Sequence, residues 1–124
     1  MKILVIDDNE DITKVFSKYM TIKGHSCSVA NDGRSGLNLI ENQTFDVVIL
    51  DLAMPEFSGR DIIDALCKSG KIKNQNIITL TASSTSHEDE STLKSKGVHL
   101  CLKKPIDPDV LLGHMQQFEN KKTT

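Results

Sequence analysis

The chain contains no tryptophan, one tyrosine and four phenylalanines. So sparse an aromatic complement argues against a base-stacking platform for nucleic acid. An excess of positive charge is also missing. Fifteen Lys and Arg stand against 17 Asp and Glu, for a net charge of -2. A nucleic-acid footprint needs a basic patch, so no nucleic-acid partner is expected. Cysteine is scarce and odd in number: Cys27, Cys67 and Cys101 are far apart, with no CxxC pair. Neither a disulfide framework nor a zinc site is suggested, and the expectation is buried, reduced thiols in a cytoplasmic protein. No apolar run is long enough for a membrane span or a signal peptide. The first stops at Asp7, so no membrane partner is expected. No GxxxxGK[ST] run occurs, which excludes a P-loop nucleotide site.

What is present is an ordinary globular composition, 38% hydrophobic and 26% charged over 124 residues. That length suits one domain with its own core, expected over 1–120, with a short polar tail at 121–124. Five apolar runs read as short strands, at 2–6, 25–30, 45–50, 76–81 and 99–103. The first and third are nearly continuous Val, Ile and Leu, as in strands buried on both faces of a parallel sheet. The second alternates apolar and polar residues, which suits an edge strand.

Helical patterns fill the gaps. Ile12, Val15, Phe16, Tyr19 and Met20 recur at three-and-four spacing before Gly24. Leu37 and Ile40 mark a helix at 33–41; Ile62, Ile63 and Leu66 mark one at 59–68, closed by Gly70. A helix at 107–119 carries Val110, Leu111, Met115 and Phe118, with Asp107 placed to cap it and Pro108 in its first turn. The segment 87–96 has Leu93 as its one large apolar residue, so it buries little and should open readily. Strand and helix thus alternate five times. The expected fold class is α/β, a doubly wound parallel sheet with helices on both faces. A ligand would sit at the carboxyl ends of the strands.

Those ends collect chemistry. Asp7 and Asp8 follow the first strand and Asp51 follows Val47-Val48-Ile49-Leu50. Thr81 ends the fourth strand, with the small residue Ala82 behind it, and Lys103-Lys104-Pro105 follows the fifth. Three carboxylates in one cleft cannot all ionise without a cation. Oxygen ligands with room for water suit Mg²⁺, which takes one or two carboxylates and usually a phosphate. A lysine and a rotatable hydroxyl complete a set that could handle a phosphoryl group, with one aspartate as the nucleophile.

These residues resemble the receiver domain of two-component response regulators, of the single-domain, chemotaxis-regulator-like kind. The resemblance spans about residues 2–119. It rests on Val5-Ile6-Asp7-Asp8, on Asp51-Leu52-Ala53-Met54-Pro55 with Gly59, on Thr81-Ala82, and on Lys104-Pro105. Each is weak alone; four in order at the right strand ends are specific. The resemblance implies a flavodoxin-like (βα)5 fold with strand order 2-1-3-4-5. It implies Asp51 as phosphoacceptor, and Asp7, Asp8, Asp51 and the backbone carbonyl of Ala53 as Mg²⁺ ligands. Thr81 would be the switch hydroxyl, and Lys104 would pair with the phosphoryl oxygens across a cis bond to Pro105. The donor would be a histidine kinase or phosphotransfer protein. The downstream target would dock on the face made by the helix at 87–96, the strand at 99–103 and the helix at 107–119. The protein would be a monomer or a weak, phosphorylation-dependent dimer, with slow autodephosphorylation but no enzymatic turnover.

One position departs from that family. Cys101 stands where an aromatic ring usually swings inward with the switch hydroxyl, so signalling is expected to run through the loop after Thr81 and the weak helix at 87–96. Ser83 is a candidate for positioning the water that removes the phosphoryl group. Lys103 reads as a surface lysine, and His25, His87, His99 and His114 as surface residues without ligand spacing. Two other functions compete with the phosphoacceptor reading: a receiver-like adaptor that works without phosphorylation, and an aspartyl-phosphate hydrolase. Ala53 weighs against the second, because such hydrolases usually place a second acid there.

Overall fold

The computed structural model describes residues 1–82 and 87–119. The proposed role of Ser83, the side chain of His87 and the polar tail lie outside the described residues. Five strands, β1 (Lys2–Ile6), β2 (Ser26–Ala30), β3 (Val47–Leu50), β4 (Ile77–Thr81) and β5 (Leu100–Lys103), alternate with five helices. These are α1 (Glu10–Ile22), α2 (Gly33–Asn42), α3 (Gly59–Ser69), α4 (His87–Lys96) and α5 (Pro108–Met115). The strands pair in parallel in the order β2-β1-β3-β4-β5, the expected flavodoxin-like arrangement. The alternating second strand is indeed an edge, and the two Val/Ile/Leu runs are inner strands with every residue of β3 buried.

The period of two along each strand splits the core into two layers. Leu4, Ile6, Val48, Leu50 and Ile77 pack under α2, α3 and α4, against Ile40, Ile62, Ile63, Leu66 and Leu93. Ile3, Val5, Val47, Ile49, Ile78 and Leu80 pack under α1 and α5, against Phe16, Met20, Leu111, Leu112 and Met115. Each fully buried aliphatic side chain contributes about 1.5–3 kcal/mol, so the inner strands are the most firmly placed part of the molecule.

The helices start where short polar side chains meet free backbone N–H groups. Asn9 accepts from the Asp11 and Ile12 amides. At α3, Ser58 Oγ accepts from Asp61 N while Asp61 Oδ2 accepts from Ser58 N, a complete capping box. Gly70 ends α3 in the left-handed conformation. Asp107 does occupy the position before α5, but its side chain makes no capping hydrogen bond. The helix also ends at Met115 rather than Glu119, and Gln116–Phe118 tightens into a 3-10 turn. That turn carries Phe118 edge-on to His99, with ring centroids 5.0 Å apart.

The weak helix buries little, as its composition suggests. Leu93 is its buried anchor. The pairs Arg60–Asp89 and Lys96–Asp64, both at 3.0 Å, tie it to α3 on the exposed surface. Such pairs contribute at most about 1 kcal/mol each. The cysteine expectation needs correction. Cys27 and Cys101 are half-buried and Cys67 is exposed at the outer edge of α3, so none is a core thiol. Lys103, His99 and His114 are exposed as expected, whereas His25 is half-buried with its Nδ1 2.7 Å from the amino terminus.

The centre of the sheet holds one anomaly. Thr79 is fully buried and its hydroxyl has no hydrogen-bond partner among the described residues. It lies opposite Cys101 in the β4–β5 register, two residues before Thr81 and therefore on the same face. A buried hydroxyl left unpaired costs about 1–3 kcal/mol. Replacing Thr79 by valine keeps the shape and removes the desolvated oxygen. Urea unfolding of Thr79→Val is expected to show a gain of about 1 kcal/mol; a loss of stability would show that the hydroxyl is satisfied in solution.

Candidate functional site

Because all five strands run the same way, their carboxyl ends form one edge, and backbone hydrogen bonds stitch the residues beyond them together. Asp7 N donates to Ala30 O at 3.1 Å, Asp51 N to Ile6 O at 2.9 Å, and Lys104 N to Thr81 O at 2.9 Å. Asp7, Asp51 and Lys104 are thus each hung from the neighbouring strand. Asp7, Asp51 and Thr81 are buried, with 3%, 5% and 2% of their surfaces exposed. Asp8 faces solvent.

The loop after β3 is held from behind by close packing. A side-chain carbon added at Gly59 would lie 2.2 Å from Asp51 O, so only glycine lets α3 approach this backbone. Gly59 N donates to Leu52 O at 3.1 Å. Gly33 plays the same part for the far end of the loop, where an added carbon would meet Phe57 O at 1.9 Å. The position of Asp51 therefore depends on two contacts that no larger residue could make.

The structure brings Asp7, Asp8, Asp51 and Lys104 together. Oxygens of the three carboxylates lie within 4.8 Å of one another. Lys104 Nζ is 2.6 Å from Asp7 Oδ2 and 3.6 Å from Asp51 Oδ2. Asp7 Oδ1 accepts from Asn9 N at 2.9 Å, and Asp51 Oδ1 accepts from Ala53 N at 3.2 Å. Burial, and then the neighbouring charge of Asp7, push the Asp51 carboxyl up from its ordinary value. The Ala53 amide and the Lys104 ammonium pull the other way. The set is acidic, oxygen-rich and open on the Asp8 side, which fits a hard cation that keeps several waters. The Lys104–Pro105 peptide bond is cis.

Sequence reasoning missed two residues of this neighbourhood. Asn31, just past β2, donates from Nδ2 to Asp7 O at 2.9 Å and to Thr13 Oγ1 at 3.0 Å. Thr13, buried on α1, donates in turn to Glu10 O at 3.1 Å. In the sequence, Asn31-Asp32-Gly33 reads as turn chemistry and Thr13 as one more helical residue. Nothing in their spacing announces the contact, because it joins two loops from different parts of the chain.

Comparison with known proteins agrees with this arrangement. The family described as the response regulator receiver domain matches residues 3–116. The chain is 31% identical over 111 residues to the sensor histidine kinase RcsC of Salmonella typhimurium, which covers 90% of this chain and 11% of that protein. It therefore spans about a tenth of that relative's length. Among solved structures, the receiver domain of the Francisella response regulator 1452 superposes with a TM-score of 0.85 at 28% identity, covering 94% of both chains. The chemotaxis protein CheY4 of Vibrio cholerae superposes with a TM-score of 0.84 at 30% identity, covering 95% of this chain and 98% of that one. With the fold, the strand-end residues and these matches in agreement, the chain belongs to the response regulator receiver domain family of two-component systems.

Proposed function

We propose that this domain accepts a phosphoryl group on Asp51 from a phosphohistidine donor and uses the modification to change its protein contacts. The observation that carries this reading is the cluster of three carboxylates at the carboxyl edge of the sheet, two of them paired with the Lys104 ammonium. In the transfer, an Asp51 carboxylate oxygen attacks phosphorus. The P–N bond breaks, and its electron pair stays on the imidazole nitrogen, which is protonated from solvent. The Lys104 ammonium lies close enough to Asp51 to turn toward the transferred oxygens. Asp7, Asp8, Asp51 and the Ala53 carbonyl would hold Mg²⁺, which supplies neutralising charge to the phosphoryl oxygens when bound. Thr81, at the end of β4 beside Lys104, would move its hydroxyl toward the phosphoryl group. Its backbone tie to Lys104 supports that pairing of roles.

The donor is proposed as a histidine kinase or phosphotransfer protein in the cytoplasm; similarity to part of a sensor histidine kinase supports that chemistry. The product is a signalling state that decays by slow autodephosphorylation, rather than a released metabolite. The output face is proposed as α4, β5 and α5, in a monomer or a weak phosphorylation-dependent dimer. Support comes from α4 itself, whose buried apolar anchor among the described residues is Leu93 and whose ion pairs to α3 lie on the exposed surface, which makes it easily biased.

Three outcomes test this reading. Incubation with acetyl phosphate and Mg²⁺, followed by intact mass measurement, is expected to show one phosphoryl adduct. The adduct should vanish in Asp51→Asn and form roughly 10²-fold more slowly in Lys104→Ala. Absence of an adduct, with no response to beryllofluoride, would favour the adaptor; rapid turnover of an unrelated phosphomonoester would favour the hydrolase. Without metal, Asp51→Asn removes a desolvated charge from beside Asp7 while Lys104 keeps its 2.6 Å partner. Its urea midpoint in EDTA is expected to rise, by on the order of 1 kcal/mol in stability. Mg²⁺ should then stabilise the wild type more than the variant, and an unchanged midpoint would reject the repulsion argument. Finally, amide exchange across residues 88–98 is expected to change on beryllofluoride binding. Identical exchange there would rule out α4 as the output element.

A further inference from the structure

We infer that Asn31 and Thr13 form a positioning brace that sets the cation affinity of the acidic site by fixing the Asp7–Asp8 peptide. The inference rests on the proposed metal role of Asp8. Asp7 and Asp51 each have their carboxylate held twice, by a backbone amide and by Lys104. The Asp8 carboxylate has no such hydrogen bond among the described residues and faces solvent. Its place near the other two acids is therefore set by its own backbone.

That backbone is what Asn31 holds. A peptide unit is planar, so fixing the Asp7 carbonyl also fixes the Asp8 N–H and the place of the Asp8 Cα from which its side chain departs. The Asn31 amide donates one hydrogen to that carbonyl and the other to Thr13 Oγ1. Thr13 spends its own hydrogen on Glu10 O, so it can only accept from Asn31. Both partners are acceptors, which leaves a single orientation of the Asn31 amide satisfied. The brace thus joins three segments: the loop after β1, the loop after β2, and the first turn of α1. Asn31 itself is exposed and lies outside both hydrophobic layers, so its role is not to fill the core.

Residues that orient metal ligands typically change affinity about 10- to 100-fold when removed. Mg²⁺ binding to wild type, Asn31→Ala, Thr13→Val and Thr13→Ser would be measured by calorimetry, with the Asp8 and Asn9 amide shifts followed by NMR. Asn31→Ala is expected to weaken Mg²⁺ binding roughly 10-fold. Thr13→Val should weaken it less, because the Asn31–Asp7 bond survives, and Thr13→Ser should match the wild type. With acetyl phosphate, the Asn31→Ala rate should fall at limiting Mg²⁺ and recover at saturating Mg²⁺, since Asp51 and Lys104 are untouched. Equal Mg²⁺ affinity in wild type and Asn31→Ala would overturn the brace, even if thermal stability fell. A loss that saturating Mg²⁺ does not restore would overturn it as well. Failure of the wild type itself to bind Mg²⁺ would instead remove the metal reading on which the brace depends.

Discussion

Repulsion among Asp7, Asp8 and Asp51, opposed among the described residues by the ammonium of Lys104, is the constraint around which this structure is arranged. Two of the acids are almost fully desolvated, and burial alone raises the cost of ionising Asp51. A carboxylate cluster of this kind survives only on a scaffold rigid enough to hold it. The inner strands supply that scaffold, because every residue of β3 and nearly all of β1 are packed on both faces. The site is therefore poised: it is short of positive charge, and either a cation or a change in Lys104's partner alters its energy.

The rest of the domain divides into parts that hold the cluster and parts free to respond to it. Gly59 and Gly33 let α3 and α2 press against the loop that carries Asp51, which leaves that loop little room to shift. Asn9, Ser58 and Asp61 tie down the helix starts beside it. On the same face of the sheet, α4 is anchored by Leu93 and by surface ion pairs that contribute little. Stability is unevenly distributed, and the weakly held element lies beyond the same strand that ends in Thr81. The unpaired hydroxyl of Thr79 opposite Cys101 adds a second soft spot on that side.

Much of this could be read from the chain. The Val/Ile/Leu runs located the inner strands because burial on both faces leaves no polar position. The alternation at 25–30 marked an edge because one face meets water. Asp7, Asp8, Asp51, Thr81 and Lys104 were legible because each follows or closes a strand, and parallel strands share one carboxyl edge. The misses have physical causes too. Helix α5 ends early and a 3-10 turn carries Phe118 to His99, a contact of 5.0 Å between distant residues that local periodicity does not register. The cysteines, expected to be buried, are half-buried or exposed because residue type sets a tendency to burial, not a place in the packing. Asp107 stands at the cap position of α5 without making the bond, because a capping residue type does not by itself fix the side-chain rotamer.

Local sequence, then, determined which segments become strands and helices, and which residues would stand at the strand ends, since periodicity and turn chemistry act over a few residues. Tertiary structure alone decided the distances that give those residues their chemistry. Lys104 comes within 2.6 Å of Asp7 across a gap of nearly the whole chain, and Asn31 meets Asp7 and Thr13 from a different loop. Such contacts depend on which strands pair and how tightly the loops between them pack, and no local pattern encodes them.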